Sequence, residues 1–276
     1  MSERISQLES AIHAAACDGR IPEQVLRELA AAAGVDLLVA QRAACRVGVW
    51  PARYARNARQ LSIQEQLTLL ESHVLLVGLG GLGGWLLELL ARLGVGSITG
   101  VDADRFEESN LNRQLLGNAG NLGQSKARAA AARLAVVNPA IQFTAVPRFM
   151  DEALCARLLR GMDLALDALG GLDCRLSLQQ AAARAGVPLV SAGIAGLTGW
   201  VAVVLPGQPG PVQWLGAGST GSAATPEEEL GNLAPTAAAA ASLQAAEALK
   251  LLTGRPPASG MFLFDLADGD IQRIRL

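Results

Sequence analysis

Five consecutive apolar or weakly polar residues, 73-HVLLV-77, lead directly into a glycine-rich segment, 78-GLGGLG-83. A continuous apolar run that ends in glycine is typical of a strand buried on both faces of a parallel sheet. The residues that follow, up to about Leu93, have the apolar spacing of a helix. The segment therefore predicts a strand, a glycine turn and a helix in direct succession.

The glycines of this turn fit the pattern G-x-G-x-x-G through Gly78, Gly80 and Gly83, with Gly81 between them. The first glycine permits a tight turn, the second lets the backbone approach a phosphate, and the third lets helix and strand pack closely. A helix N-terminus also attracts an anion through its free N–H groups. Taken alone, the motif allows a dinucleotide, ATP or a purely structural role.

Strands and helices alternate on both sides of this motif and predict a doubly wound α/β sheet. The predicted strands are 97–101, 142–146, 164–167 and 188–192, and the predicted helices are 82–93, 123–137, 173–185 and 235–252. Two short strands, 261–265 and 270–274, predict a C-terminal antiparallel extension. Residues 1–50 read as a helical N-terminal appendage, and residues 51–276 as a nucleotide-binding domain.

Composition limits the possible partners. The chain has 276 residues, 51% hydrophobic and 4% aromatic, and its net charge of −2 gives no footprint for nucleic acid or an anionic membrane. The most apolar stretch, 187–205, is broken by Pro188 and three glycines, so it predicts two buried strands instead of a membrane span. Four scattered cysteines and no apolar leader after Met1 favour a cytoplasmic protein.

Two acids and two cations follow the glycine segment. Asp102 and Asp104 end the next predicted strand, and Asp102 stands 19 positions after Gly83, close to the spacing of a ribose-binding acid. Arg113 and Lys126 come next, and two cations suit the charge of a triphosphate. The segment favours ATP over NAD or FAD, although Lys126 could simply solvate the start of a helix.

Together these motifs resemble the HesA/MoeB/ThiF adenylyltransferases of the ubiquitin-activating enzyme superfamily. The resemblance covers about residues 53–276, and several motifs in the family's order make it specific. The matching segments are the glycine loop, Asp102-x-Asp104, Asn110-Leu111-Asn112-Arg113-Gln114, Gly123-Gln124-Ser125-Lys126, Asn138-Pro139, the upstream Arg53-Tyr54-Ala55-Arg56-Asn57, and the C-terminal stretch Ser242–Lys250.

The resemblance implies a Rossmann-like ThiF-type fold and ATP-dependent adenylylation. The C-terminal glycine carboxylate of a ubiquitin-like sulfur carrier ending in Gly-Gly would attack the α-phosphate of ATP, with Mg²⁺ present, and release pyrophosphate. Arg113 and Lys126 would be catalytic, and so would Arg56, acting in trans within a homodimer. Carried over by position, the nucleotide would be held by the glycine loop, Asp102 (ribose), Asp104, Asn110, Arg113, Gln114, Lys126 and Asp167.

The chain departs from the family pattern in three places. The family's D-x-x-D-N, whose second Asp binds magnesium, is here Asp167-Ala168-Leu169-Gly170-Gly171, which leaves Asp173 as the possible magnesium ligand. The paired C-x-x-C motifs of the family's structural zinc are missing, so no zinc is expected. The expected crossover loop, about 206–232, has no cysteine to form a thioester, and Cys155 and Cys174 are expected to be small buried hydrophobes.

Two other functions are compatible with the sequence. One is adenylylation of a different carboxylate, such as that of a peptide or a modified tRNA nucleoside. The other is a nucleotide-binding pseudoenzyme or docking subunit, which Gly170 motivates. Residues 22–47 could also form a helix-turn-helix pair, but its second helix offers few side chains to DNA, and a packing or docking appendage is favoured.

Overall fold

A computed structural model describes residues 2–171, 173–214 and 226–274, without the side chains of Ser2 and Asp173. The strands are β1 (Arg20–Ile21), β2 (Trp50–Pro51), β3 (His73–Val77), β4 (Ser97–Val101), β5 (Gln142–Val146), β6 (Leu164–Asp167), β7 (Leu189–Ala195), β8 (Thr198–Val204), β9 (Met261–Asp265) and β10 (Asp270–Ile274). The helices are α1 (Ser2–Ala15), α2 (Glu23–Ala33), α3 (Leu37–Arg46), α4 (Ile63–Glu71), α5 (Gly81–Leu93), α6 (Lys126–Val137), α7 (Glu152–Leu158), α8 (Asp173–Ala185), α9 (Pro211–Trp214), α10 (Pro226–Leu230) and α11 (Ala234–Leu252).

The main sheet has eight strands in the order β10-β9-β8-β7-β6-β3-β4-β5. Strands β7, β6, β3, β4 and β5 are parallel, and β8, β9 and β10 continue the sheet with antiparallel pairings. The chain passes from β3 to β4 and β5 on one side, then returns to β6 and β7 on the other. The doubly wound sheet and its antiparallel C-terminal extension are thus confirmed, and the winding reverses next to β3.

Both faces of the central strands are buried, as the apolar run predicts. Val74 and Leu76 of β3 join the core beneath α5, α6 and α11, whereas Leu75 and Val77 join a second core beneath α7 and α8. The period of two residues in a strand sends alternate side chains to opposite faces. Helices therefore cover the sheet on both sides, which leaves the carboxyl ends of the strands as the natural place for a site.

The predicted helix over 123–137 starts three residues later than expected, at Lys126. The preceding residues are held by the loop after β4: the N–H of Gly123 donates to the carbonyl of Phe106, and Ser125 forms a β-bridge with Arg105. These hydrogen bonds satisfy the backbone in a non-helical conformation, so α6 begins only after Ser125.

The N-terminal helices have a small core of their own. Side chains such as Leu8, Ile12 and Leu26 pack together there, and a further cluster that includes Leu38 and Tyr54 joins α3 to α4. Helices thus occupy most of residues 2–46 and pack on α4, whereas their status as a separate appendage stays a prediction. Its boundary near residue 50 stays a prediction.

The segment Arg53–Asn57 fastens this appendage to the sheet domain. Tyr54 is 1% exposed, and its hydroxyl accepts a hydrogen bond of 2.9 Å from Nδ2 of Asn138. Nη1 of Arg53 donates to the carbonyl of Val137 at 2.7 Å, while its Nη2 contacts Glu23 of α2. This motif thus has a structural role in addition to the one implied by the resemblance for Arg56.

We expect Tyr54→Phe to lower the free energy of unfolding by about 1–3 kcal/mol, because it removes the buried hydrogen bonds that the hydroxyl accepts from Asn138 and donates to Gln41. Urea denaturation would measure the change. Ser10→Ala is the control, since it removes a hydroxyl from an exposed hydrogen bond to Ser6 and should cost less than about 0.5 kcal/mol. Equal stability of Tyr54→Phe and the wild-type chain would contradict this role.

Candidate functional site

A crevice opens at the carboxyl ends of β3, β4 and β6, where the direction of winding reverses. Its cavity volume is about 290 Å³, near the lower end for small-molecule sites. Eight of the predicted site residues line it: Gly78, Gly80, Gly81, Asp102, Asp104, Arg113, Gln114 and Lys126. Residues far apart in the sequence thus meet at one end of the sheet.

The glycine turn lies at the floor of this crevice and needs its glycines for space. Gly78 has a φ of +93°, and a Cβ there would lie 2.5 Å from the carbonyl oxygen of Ala168. A Cβ on Gly83 would lie 1.9 Å from the carbonyl oxygen of Gly78. Gly83 does not line the crevice, because it packs α5 against the turn, whereas Gly81 and Leu82 place the N-terminus of α5 at the crevice.

Asp102 braces this turn. Its Oδ2 accepts a hydrogen bond of 2.8 Å from the N–H of Leu79, and its Oδ1 accepts one of 2.8 Å from the N–H of Asp104. Each carboxylate oxygen has a second lone pair, and the side chain is half-buried at the crevice. Asp102 is therefore placed both to hold the loop and to accept hydrogen bonds from a ligand.

Lys126 supplies a buried cation. Its side chain is only 8% exposed, and Nζ lies 3.0 Å from Oδ2 of Asp104, whose side chain is 70% exposed. Burial of an ammonium group is unfavourable unless it is paired, and a single solvent-exposed carboxylate compensates it weakly. An anion bound in the crevice would complete the compensation.

Arg113 and Gln114 stand over the glycine turn. A Cβ added to Gly81 would lie 3.4 Å from the Arg113 side chain, and one added to Gly80 would lie 3.5 Å from that of Gln114. Arg113 Nη1 donates to the carbonyl of Ser109 and to Oδ1 of Asn112. These contacts leave the other guanidinium nitrogens of Arg113 available for a ligand.

Asn110 stabilises the loop before Arg113 and does not line the crevice. Its Oδ1 accepts a hydrogen bond from the N–H of Glu107, and its Nδ2 donates to Oγ of Ser109. Asn110 thereby holds the short 3-10 turn over Glu108–Asn110. A direct contact of Asn110 with the nucleotide stays a prediction.

Asp167 lies behind the crevice, 1% exposed, and does not line it. Its Oδ2 accepts from Nη1 of Arg175 at 2.8 Å and from Oγ of Ser191, and its Oδ1 accepts from the N–H of Leu169. Because Arg175 also donates to the carbonyls of Leu169 and Gly171, Asp167 shapes the loop after β6 through Arg175. Its direct contact with the nucleotide stays a prediction.

Arg175 is a structural centre of the site that the sequence analysis missed. It is 3% exposed and donates to the carbonyls of Gly171 and Ala192 at 2.6 and 2.7 Å, and also to that of Leu169. Its guanidinium also lies 5.3 Å from the ring centre of Trp200. In the sequence, Arg175 looks like any exposed cation of a helix, so no local signal identifies this role.

Further lining residues missed by the sequence analysis include Phe149, Met150 and Glu227. Phe149 and Met150 follow the carboxyl end of β5, so the rule that sites lie at the ends of parallel strands could have found them. Glu227 belongs to α10, which lies far from most of the other lining residues in the sequence and reaches the crevice only through the tertiary fold. No local pattern identifies it.

The remaining predicted positions lie elsewhere. Arg56 is exposed and does not line the crevice of its own chain. The side chain of Asp173, the possible magnesium ligand, lies outside the described residues, as does the 215–225 part of the predicted crossover loop. Cys155 is 2% exposed, and burial raises the pKa of its thiol; Cys174 is half-buried.

The described residues show neither a preassembled metal site nor a membrane-spanning helix. Across ranges 2–171, 173–214 and 226–274, no group of three or more His, Cys, Asp and Glu side chains is arranged to hold a metal ion. Within the same part of the chain, no helix combines the length and apolar character needed to cross a bilayer.

The chain is similar in sequence to several adenylyltransferases. It is 35% identical to the molybdopterin-synthase adenylyltransferase of Escherichia coli over 228 residues, which cover 81% of this chain and 92% of that protein. It is 34% identical to the sulfur carrier protein adenylyltransferase of Thermus thermophilus over 223 residues, 78% of this chain and 82% of that protein. It is also 35% identical to mouse adenylyltransferase and sulfurtransferase MOCS3, but spans only 50% of that longer protein.

Solved structures agree on the fold. MccB of Escherichia coli superposes with a TM-score of 0.71 at 21% identity, covering 81% of this chain and 69% of that one. A structure of the same protein with ATP gives a TM-score of 0.68 over 81% of this chain and 70% of that one. The family model of the ThiF family matches residues 54–276. The chain therefore belongs to the ThiF family.

Proposed function

We propose that this protein uses ATP to adenylylate the C-terminal glycine carboxylate of a ubiquitin-like sulfur carrier. One observation carries the proposal: Lys126, a buried cation whose one ion-pair partner among the described residues is an exposed carboxylate, lines a crevice floored by a glycine turn and a helix N-terminus. That combination suits a polyphosphate. The names of the relatives, which activate sulfur carriers or serve molybdopterin synthase, support the choice of acceptor.

Different residues of the crevice bind the ribose and the phosphates in this reaction. Asp102 binds the ribose hydroxyls, while the glycine turn, Arg113 and Lys126 bind the phosphates. A carboxylate oxygen of the carrier attacks the α-phosphorus, the bond to the bridging oxygen of pyrophosphate breaks, and Arg113 and Lys126 stabilise the negative charge on the departing pyrophosphate. The step needs no protein nucleophile, because its rate comes from orientation and charge stabilisation.

Mg²⁺ is the metal that accompanies ATP in this proposal, and when bound it neutralises phosphate charge. The acidic side chains that line the crevice offer oxygen ligands, which Mg²⁺ prefers. Structural zinc is excluded from the proposal, because the four cysteines form no C-x-x-C pair. We further infer that the protein works in the cytoplasm, without nucleic acid or membrane as partner, since its net charge of −2 gives no such footprint.

Metal analysis of the purified protein tests the zinc statement. We expect no stoichiometric zinc, and a thermal unfolding transition that is unchanged after treatment with a chelator, because the fold has no thiolate cluster to hold the ion. One zinc per chain, or a chelator-induced loss of stability, would contradict it.

Exchange of labelled pyrophosphate into ATP tests the reaction. We expect exchange that requires a carrier ending in Gly-Gly and is lost when its last glycine is deleted. Lys126→Ala should reduce the exchange rate by about 10²-fold or more, because it removes a preorganised charge from the phosphate site. Arg128→Ala is the matched control: Arg128 is an exposed cation on the same helix and should have little effect.

Two results would count against the proposal in different ways. Absence of exchange with every carrier ending in Gly-Gly, despite ATP binding, would favour the pseudoenzyme or docking subunit that Gly170 motivates. Exchange that requires a peptide or nucleoside carboxylate, and not a carrier, would show that the protein adenylylates a different acceptor.

The proposal also includes a homodimer in which Arg56 acts on the partner's phosphates. Arg56 is exposed and lies away from the crevice of its own chain, as a residue acting in trans would. Arg56→Ala and Lys126→Ala should each strongly reduce exchange, whereas random mixing of the two should restore about a quarter of the sites, because one site of each mixed dimer is intact.

Native mass spectrometry would verify that mixed dimers form. A mixture that contains them and stays inactive would exclude action in trans. A protein that remains monomeric at working concentrations would exclude the dimer itself.

A further inference from the structure

Gly170 lines one corner of the crevice and, as a glycine, places no side chain there. The residues on either side, Leu169 and Gly171, are held by Arg175 through their carbonyl groups, so the backbone of this corner is fixed. A Cβ added to Gly170 would lie 3.2 Å from Oε2 of Glu227. The space that a side chain at position 170 would enter is therefore bordered by a carboxylate from another part of the chain.

Glu227 reaches this corner from α10, within the segment expected to be the crossover loop. It is half-buried, lines the crevice and interacts with the backbone N–H of Gly171. Its neighbours on the same helix, Glu228 and Glu229, are exposed and do not line the crevice. The position of Glu227 thus distinguishes it from the rest of the acidic run.

The other lining acids already have partners. Asp102 accepts two backbone hydrogen bonds, and Asp104 pairs with Lys126. Asp151 caps α7 through the N–H of Leu154, and Glu152 pairs with Arg184. Glu227 has the N–H of Gly171 as a partner, but within the described residues no cation comes within salt-bridge distance of it, and Arg175 and Arg113 act on it from farther away.

The electrostatic surroundings of Glu227 suit a cation ligand. Burial is the largest influence and raises the pKa of its carboxyl above the usual range, with the two arginines opposing that shift only in part. A desolvated carboxylate at the phosphate end of an ATP site gains most from a directly bound cation. Mg²⁺ in such sites commonly takes one or two protein carboxylates and completes its shell with phosphate oxygens and water.

We propose that Glu227 is the protein carboxylate that binds the Mg²⁺ of Mg–ATP, in the place of the side chain that Gly170 lacks. This inference rests on the proposed ATP-dependent function. In this site, the loop after β6 provides the space and α10 provides the carboxylate ligand. Because one carboxylate suffices beside the phosphates, the site needs no preformed cluster of acids.

Calorimetric titration with a non-hydrolysable ATP analogue, with and without Mg²⁺, tests the proposal. In the wild-type chain Mg²⁺ should strengthen binding. In Glu227→Gln that gain should fall by about tenfold or more, since loss of a direct ligand costs at least as much as loss of an outer-shell partner. Binding without Mg²⁺ should be unchanged or stronger, because a negative charge near the phosphates is gone.

Glu229→Gln is the matched control, with the same change of charge on the same helix, and should behave like the wild-type chain. The double variant Glu227→Gln with Gly170→Asp should recover the metal dependence, because it returns a carboxylate to the same corner. Mn²⁺ in place of Mg²⁺ gives a second readout, since its paramagnetic resonance signal reports protein-bound metal directly.

The possible outcomes are distinct. An unchanged effect of Mg²⁺ in Glu227→Gln would overturn the inference, and its loss in Asp173→Asn instead would assign the metal to Asp173. A wild-type chain that binds the analogue without any metal dependence would overturn the inference and leave nucleotide binding intact. A wild-type chain that binds no analogue would overturn the proposed function as well.

Discussion

Helix α5 touches the backbone of the turn that precedes it, and the geometry of the crevice depends on that contact. A Cβ on Gly83 would lie 1.9 Å from the carbonyl oxygen of Gly78, and one on Gly78 would lie 2.5 Å from that of Ala168. Only residues without a side chain allow the turn after β3 to pack at once on its own helix and on the loop after β6. This packing leaves the crevice open. The N-terminus of α5 and the side chains of Lys126 and Arg113 line it.

Most of the fold and about half of the site could be predicted from the sequence because both follow from local signals. The apolar run 73–77 and the glycines after it predict a buried parallel strand and its turn, and the carboxyl ends of parallel strands meet at one edge of a sheet. Asp102, Arg113 and Lys126 therefore reach the same crevice. The Asn138-Pro139 and Arg53–Asn57 segments also stand out in the sequence as family motifs. Their contacts join the N-terminal helices to the sheet domain.

The rest of the site depends on long-range packing, which a single sequence does not encode locally. Arg175 occupies a helix position like that of any solvated cation, yet it is buried against Asp167 and organises the loop around Gly170. Asp167 pairs with Arg175, a contact between the end of β6 and α8 that the sequence does not predict. Glu227 stands in an acidic run that looks uniformly exposed, and only the return of the chain to the sheet sets it apart from Glu229.

Lys126 is the residue that most directly indicates an anionic ligand. It is buried, and its partner Asp104 is largely exposed. A crystal structure of the protein with a non-hydrolysable ATP analogue and Mg²⁺ tests that reading. We predict phosphates at the N-terminus of α5 in contact with Lys126 and Arg113, and the ribose on Asp102. A nucleotide bound elsewhere, or phosphates that make no contact with Lys126, would contradict the assignment of this crevice as the adenylylation site.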